Sequence, residues 1–273
     1  MAYSTISKSS SFHNAVTYTG NGTVDTALTT GTYQPDLVWF KNRGTTESNM
    51  WMDAVRGATY YIQSNSTAAE GNSSDKISAF TSTGVTLGSG AETNENSQPL
   101  VCWAWKANGS GSSNSDGTIT STVSVDSTSK FSIVKWTGNS TAGATVGHGL
   151  GVAPSFMIIK NLGAATQWLT WWDFFANTEM MYLNLTNAKG TGQTYLNSTT
   201  PTSSVITLGG GADENQNDMI AYCFAEVPGF SKFGTYTGNG VVNGAFAYTG
   251  FKPSFVVIKR QDQSTNWVVY DNK

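Results

Sequence analysis

The feature that most constrains this chain is that it repeats itself. TYTGNG occupies residues 17–22 and recurs unchanged at 235–240, and KWTGNS at 135–140 is a near copy. Each copy leads into a proline-headed apolar run: QPDLVWFKNR at 34–43, APSFMIIKNL at 153–162 and KPSFVVIKRQ at 252–261. The aromatic of the phrase and the proline stand 17, 18 and 17 residues apart. WMD at 51–53, WWD at 171–173 and VYD at 269–271 follow. The first two copies run on through TLGSGAETNENSQPLVCWAWK from 86 and TLGGGADENQNDMIAYCFAEV from 207, a uniform offset of 121 that matches Cys102 with Cys223. Self-similarity at a fixed period is the mark of a structural unit built more than once.

The units read as sheets. DLVWFK, SFMIIK and SFVVIK are short apolar runs of strand length, and LVCWAWK and MIAYCFAE are of the same kind. Thr, Val and aromatics favour a pleated, half-buried surface. Helix signals reach a single turn at most, in DAVRGA and LNLTNAKG. The expected fold is all-β, a tandem array of antiparallel, jelly-roll-like β-sandwich modules of about 100 residues. Residues 1–11 form an N-terminal arm, 12–108 module one, 109–130 a Gly/Ser-rich linker with a possible strand, 131–228 module two and 229–273 a partial module three. The linker core, ANGSGSSNSDG, has a composition expected to stay flexible. No such linker precedes module three, which is expected to dock on module two. Some 45 residues are too few to close a sandwich. Three arrangements would resolve this: a chain that continues past Lys273, a half-module that completes a neighbouring sheet in the same or another subunit, or boundaries shifted by half a repeat. An oligomer or a longer chain is favoured.

Within LVCWAWK the period of two puts Val101, Trp103 and Trp105 on one face and Cys102 and Ala104 on the other. The two cysteines, in separate modules, are read as buried free thiols, which suits synthesis in a cytoplasm. Charged residues make up only 12% of the chain and its net charge is −3. The bases are scattered, so there is no electrostatic footprint for nucleic acid. No apolar run approaches the length of a membrane helix, and the N-terminus carries no secretory signal pattern.

Each motif has a structural and a functional reading. Gly20, Asn21 and Gly22, with Gly138 and Asn139, and with Gly238, Asn239 and Gly240, form a tetrad whose residues accept positive φ; they are read as a repeated hairpin corner. A phosphate cradle would need a following helix and usually a lysine, and neither is present. Glu92 and Asn94, matched by Asp213 and Asn215, sit in acid- and amide-rich loops that suit either an Asx turn or a hard cation. Trp51, Trp168, Trp171, Trp172 and Trp267 fall in the variable middles of the modules. They suit core or inter-subunit packing, or a platform on which a sugar stacks. Only two histidines occur, no GxSxG elbow is present, and Asp53, Asp173 and Asp271 recur as strand-end acids. Recurrence in three modules points to hydrogen bonding, and no enzyme and no cofactor are expected.

The order Phe12-x(5)-YTGNG, QPDLVWFKNR, DAVRGAT, the TLG–NEN turn and VCWAWKA resembles repeat-containing structural proteins of tailed bacteriophages, tail fibres and other virion proteins, especially of marine and cyanobacterial phages. VGHGLGVAPSFMIIKN, YLNLTNA and YCFAEVPGFSKFG in the second copy are similar to the same family, while TQWLTWWDFF is more apolar than its pattern. The resemblance implies a virion protein made in the host cytoplasm, without nucleic-acid binding or membrane insertion. Its expected partners are other virion proteins, further copies of itself and a host cell-surface glycan. The expected role is a tail fibre or receptor-binding component presenting loops to that glycan; the alternative is a capsid decoration or head-fibre protein with a purely architectural role.

Overall fold

The structure, a computed structural model, describes residues 4–273, so the first three residues of the expected N-terminal arm lie outside it. The chain is all-β, with antiparallel pairing throughout its sheets. The first unit contributes β1 (His13–Thr19), β2 (Thr26–Thr29), β3 (Leu37–Asn42), β4 (Met50–Asp53), β5 (Tyr60–Gln63), β6 (Gly71–Asn72), β7 (Ile77–Thr81), β8 (Gly84–Leu87), a one-turn helix α1 (Ala91–Asn94) and β9 (Pro99–Trp105). The second contributes β10 (Ser112–Asn114), β11 (Ser121–Asp126), β12 (Phe131–Thr137), β13 (Thr145–Gly147), β14 (Phe156–Asn161), β15 (Leu169–Trp172), β16 (Met181–Tyr182), β17 (Val205–Thr207) and β18 (Asp218–Phe224). A last hairpin holds β19 (Phe255–Ile258) and β20 (Val268–Asp271).

The large sheet of unit one has the order β1-β9-β3-β4-β5-β6, and that of unit two contains β12-β18-β14-β15-β16. Small sheets, β2-β8-β7 and β13-β17, cover one face of each. Alternation along the strands makes this possible. In unit one Val38, Phe40, Met50, Met52, Cys102 and Ala104 face the small sheet, where they meet Leu28, Ile77, Val85 and Leu87. In unit two Met157, Ile159, Leu169, Trp171, Ala221 and Cys223 do the same against Val146 and Ile206. Both cysteines are buried and free.

The opposite faces of the large sheets are also apolar, and they turn toward each other. Leu37, Trp39, Trp51, Val101 and Trp103 share one core with Ile133, Ile158, Trp168, Ile220 and Tyr222. Phe255 and Val269 of the last hairpin pack into the same core, their rows aligned with Leu37 and Trp51 by strand register. Three sheets thus present the same face to one centre.

Three expectations need correction. The tetrad is not a hairpin corner, because β1 pairs with β9 while β2 pairs with β8; the chain crosses there from large sheet to small sheet. The stretch 107–117 is held rather than loose: β10 pairs with β11, and the Asp36 carboxylate accepts from the amides of Ala107 and Gly109. The 121-residue offset also fails inside the central strands. Trp39 opposes Trp103 and Ile158 opposes Tyr222, so Cys102 corresponds to Ala221 and Ala104 to Cys223. A shift of two preserves strand parity, so the face assignment survives.

Candidate functional site

The repeated phrase is a corner gripped by a clamp. Asn94, buried at the end of α1, donates through Nδ2 to Asn21 Oδ1, Thr23 O and Gly88 O. Its Oδ1 accepts from the Asn21 amide at 3.0 Å. Asn215 repeats this in unit two, donating to Asn139 Oδ1 and Thr141 O and accepting from the Asn139 amide. Gly22 and Ser140 take positive φ of 67° and 57° and donate their amides to Asn94 O and Asn215 O. A Cβ on Gly20 would lie 2.1 Å from Glu95 O, and one on Gly138 would lie 2.3 Å from the Asn215 carbonyl carbon. The tetrad therefore encodes a close approach between corner and clamp.

This arrangement replaces the cation reading of Glu92, Asn94, Asp213 and Asn215. Both amide oxygens are occupied by backbone N–H groups. Glu92 pairs with Lys76, and Asp213 accepts from the Gln167 amide at 3.1 Å. Four oxygens committed to four different donors do not converge on an ion.

The junctions between units also repeat. Lys160 donates to Thr67 O at 3.2 Å, Trp168 Nε1 to Ser66 O at 3.0 Å, and Glu70 N to Leu162 O at 2.8 Å. At the next junction Lys259 donates to Thr186 O at 3.2 Å, Trp267 Nε1 to Tyr182 O at 3.0 Å, and Lys189 N to Gln261 O at 2.8 Å. Lys160, Leu162 and Trp168 each stand 99 residues before Lys259, Gln261 and Trp267. Burial pulls the Lys160 ammonium down to about 8, opposed by Asp213.

A second set of contacts closes the circuit. Tyr222 OH of unit two donates to Asp53 of unit one at 2.7 Å, and Trp103 Nε1 of unit one donates to Asp271 of the last unit at 2.8 Å. By register Trp103 and Tyr222 are equivalent, as are Asp53 and Asp271. Contacts thus run from one to two, two to three and three to one, the head-to-tail scheme of a ring. Behind this contact unit one holds a buried ion pair: Arg56 bonds Asp53, Glu70 and Trp51 O, and its Nη2 donates to Tyr222 OH across the junction at 3.4 Å. Asp173 does not share this role. It lies one residue past the strand end, exposed, and Trp172 holds the equivalent position opposite Phe156.

The five tryptophans divide. Trp51, Trp168 and Trp171 are 3%, 0% and 2% exposed, so their faces are taken by protein and no sugar stacks on them. Trp51 packs against Trp168 and Tyr222 at ring-centroid distances of 5.5 and 5.0 Å. Trp172 and Trp267 are half-buried and stacked, 5.9 Å apart and 16° from parallel, with Phe174 exposed beside them. They border a groove of about 1120 Å³ between the last hairpin and the large sheets. Phe12, His13, Trp105, Phe156, Phe224 and Phe233 also line it. Composition alone gave no sign of this groove, because it arises from the relation between the third unit and the first two.

An all-β protein of sheet units joined through one core, with corners locked by asparagine, is the class these features define. Its family follows from comparison: residues 8–273 match the profile of the domain of unknown function DUF7483, and the chain belongs to that family. No curated protein and no solved structure matches it.

Proposed function

We propose that this chain is a structural component of a bacteriophage virion, in the first place a tail-fibre protein, whose repeated units do the building. The observation that supports this most is the recurrence of Lys160/Lys259 and Trp168/Trp267 at the first two junctions and of Asp53/Asp271 at the first and the closing one, because recurring side chains there serve assembly rather than reaction. The resemblance of the repeat wording to phage tail and virion proteins gives the biological setting. Several copies of the chain in one oligomer would present several copies of a surface, which raises avidity by roughly 10²–10⁴ where several sites engage together. The Trp172–Trp267 shelf with Phe174 is the surface of this chain suited to a host glycan.

A capsid decoration or head-fibre role is the second reading, favoured by the burial of Trp51, Trp168 and Trp171. Antibody labelling of intact particles separates the two. Label at the tail supports the fibre, label spread over the shell supports decoration, and absence of the chain from particles overturns both. A glycan array, run with wild type and Trp267→Ala, tests the shelf.

A further inference from the structure

The third unit repeats the receiving half of the corner without the half it receives. Its tetrad keeps the local form: Gly240 has φ 68°, and Asn239 Oδ1 accepts from Val241 N as Asn21 accepts from Thr23 and Asn139 from Thr141. A Cβ on Gly238, however, would meet no atom within 4 Å, whereas at Gly20 and Gly138 it would strike clamp backbone. The phrase aromatic tells the same story. Trp136 is 2% exposed and Tyr18 donates to Thr93 O, but Tyr236 is 51% exposed.

The strands agree. In units one and two, β9 and β18 run between the phrase strand and the proline-headed strand and pair with both. Among the described residues β19 pairs only with β20, and the groove runs along β19 and past 234–238. Eight of the twelve exposed large hydrophobic side chains among the described residues fall within 236–270. The groove is continuous with the central core, where Phe255 lies 5.5 Å from the Trp105 ring and 5.1 Å from His13.

We propose that the third unit is an acceptor for an incoming polypeptide segment of the same design as 86–106 and 207–227: the end of a small-sheet strand, an asparagine clamp and a central strand with apolar residues on both faces. The clamp asparagine grips Asn239 and packs on Gly238. The central strand adds to the free edge of β19, and its side chains fill the groove. Strand addition to an exposed sheet edge supplies affinity through backbone hydrogen bonds and specificity through alternate side chains. Arg260, exposed at the position where Asn42 and Asn161 donate to the clamp loop, pairs with Asp262 through Nε and Nη2, which leaves Nη1 as a donor to the same loop of the occupant. The occupant is a segment from outside these 273 residues. A second copy folded in this way is not the donor, because both of its segments already lie at the centre of their own sheets. This inference stands apart from the virion reading, and neither test bears on the other.

The test uses the whole chain and fluorescently labelled synthetic peptides of residues 86–106 and 207–227, with anisotropy for binding and hydrogen exchange for location. The expected result is saturable one-to-one binding by at least one peptide, with slowed exchange at 235–242 and 255–258. The same peptide carrying Asn94→Leu or Asn215→Leu binds at least about tenfold more weakly, the loss of a buried hydrogen-bonding side chain. On the acceptor, Gly238→Ala leaves the melting temperature of the chain alone unchanged but weakens peptide binding about tenfold or more. No binding by either peptide, or binding indifferent to both substitutions, overturns the proposal. So does self-association that slows exchange at the same amides without peptide, since a second copy would then be the occupant.

Discussion

At the residue scale the glycines of the three tetrads provide a controlled comparison, because they share a sequence but not surroundings. Gly20→Ala and Gly138→Ala force a methyl group into clamp backbone and should each cost about 1–3 kcal/mol in chemical denaturation. The buried junction at Asp53 is the other sensitive point. Asp53→Ala leaves the Arg56 guanidinium without its closest carboxylate and frees Tyr222 OH, and should destabilise the fold by about 3–5 kcal/mol. His13 sets a pH dependence. Its ring lies 4.6 Å from Trp105, and burial lowers its pKa from 6.5 to about 4. The unfolded chain therefore takes up the proton first as pH falls. The stability linked to His13 is complete above pH 6.5 and is lost between pH 6.5 and 4, amounting to about 3 kcal/mol. Melting of wild type and His13→Gln from pH 7.5 to 4.5 should show the shallower decline in the variant; parallel curves would contradict it.

At the element scale the repeated apolar runs were legible as strands, because their lengths, β-branched content and proline boundaries are local properties. That Cys102 and Ala104 share a face was legible too, since parity survives the two-residue shift that misaligned the cysteines. What each strand pairs with was not legible. The tetrad has the residues of a tight hairpin, and only the positions of β8 and β9 show that it changes sheets. The clamp was hidden for a similar reason: an amide-rich loop suits a cation and a backbone equally until Asn21 and Asn139 are brought against it. Trp51 and Trp168 looked available for a ligand because the sequence does not show that both large sheets turn the same face inward. Pairing also ranks the strands by protection. Hydrogen exchange should be slow in the strands bonded on both sides, β9, β3, β12, β18 and β14 among them, and fast at the β19 amides along the groove. Equal protection in β18 and β19 would contradict this order.

At the scale of the whole molecule, three sheet units meet through like faces at one core; the lysine–tryptophan contact made between one and two recurs between two and three, and the bond to the strand-end aspartate made between one and two recurs between one and three. Such units are not beads on a string. The first and second are joined by Tyr222 OH bonded to the buried Arg56–Asp53 pair, by Trp168 reaching Ser66, and by apolar side chains from both large sheets, so neither retains its inner face if the other unfolds. Differential scanning calorimetry of wild type and Trp168→Ala tests this most directly. The account predicts one transition, with calorimetric and van't Hoff enthalpies equal, that moves down as a whole in the variant by an amount corresponding to about 3–5 kcal/mol. Two separate transitions, with only one displaced by Trp168→Ala, would contradict it.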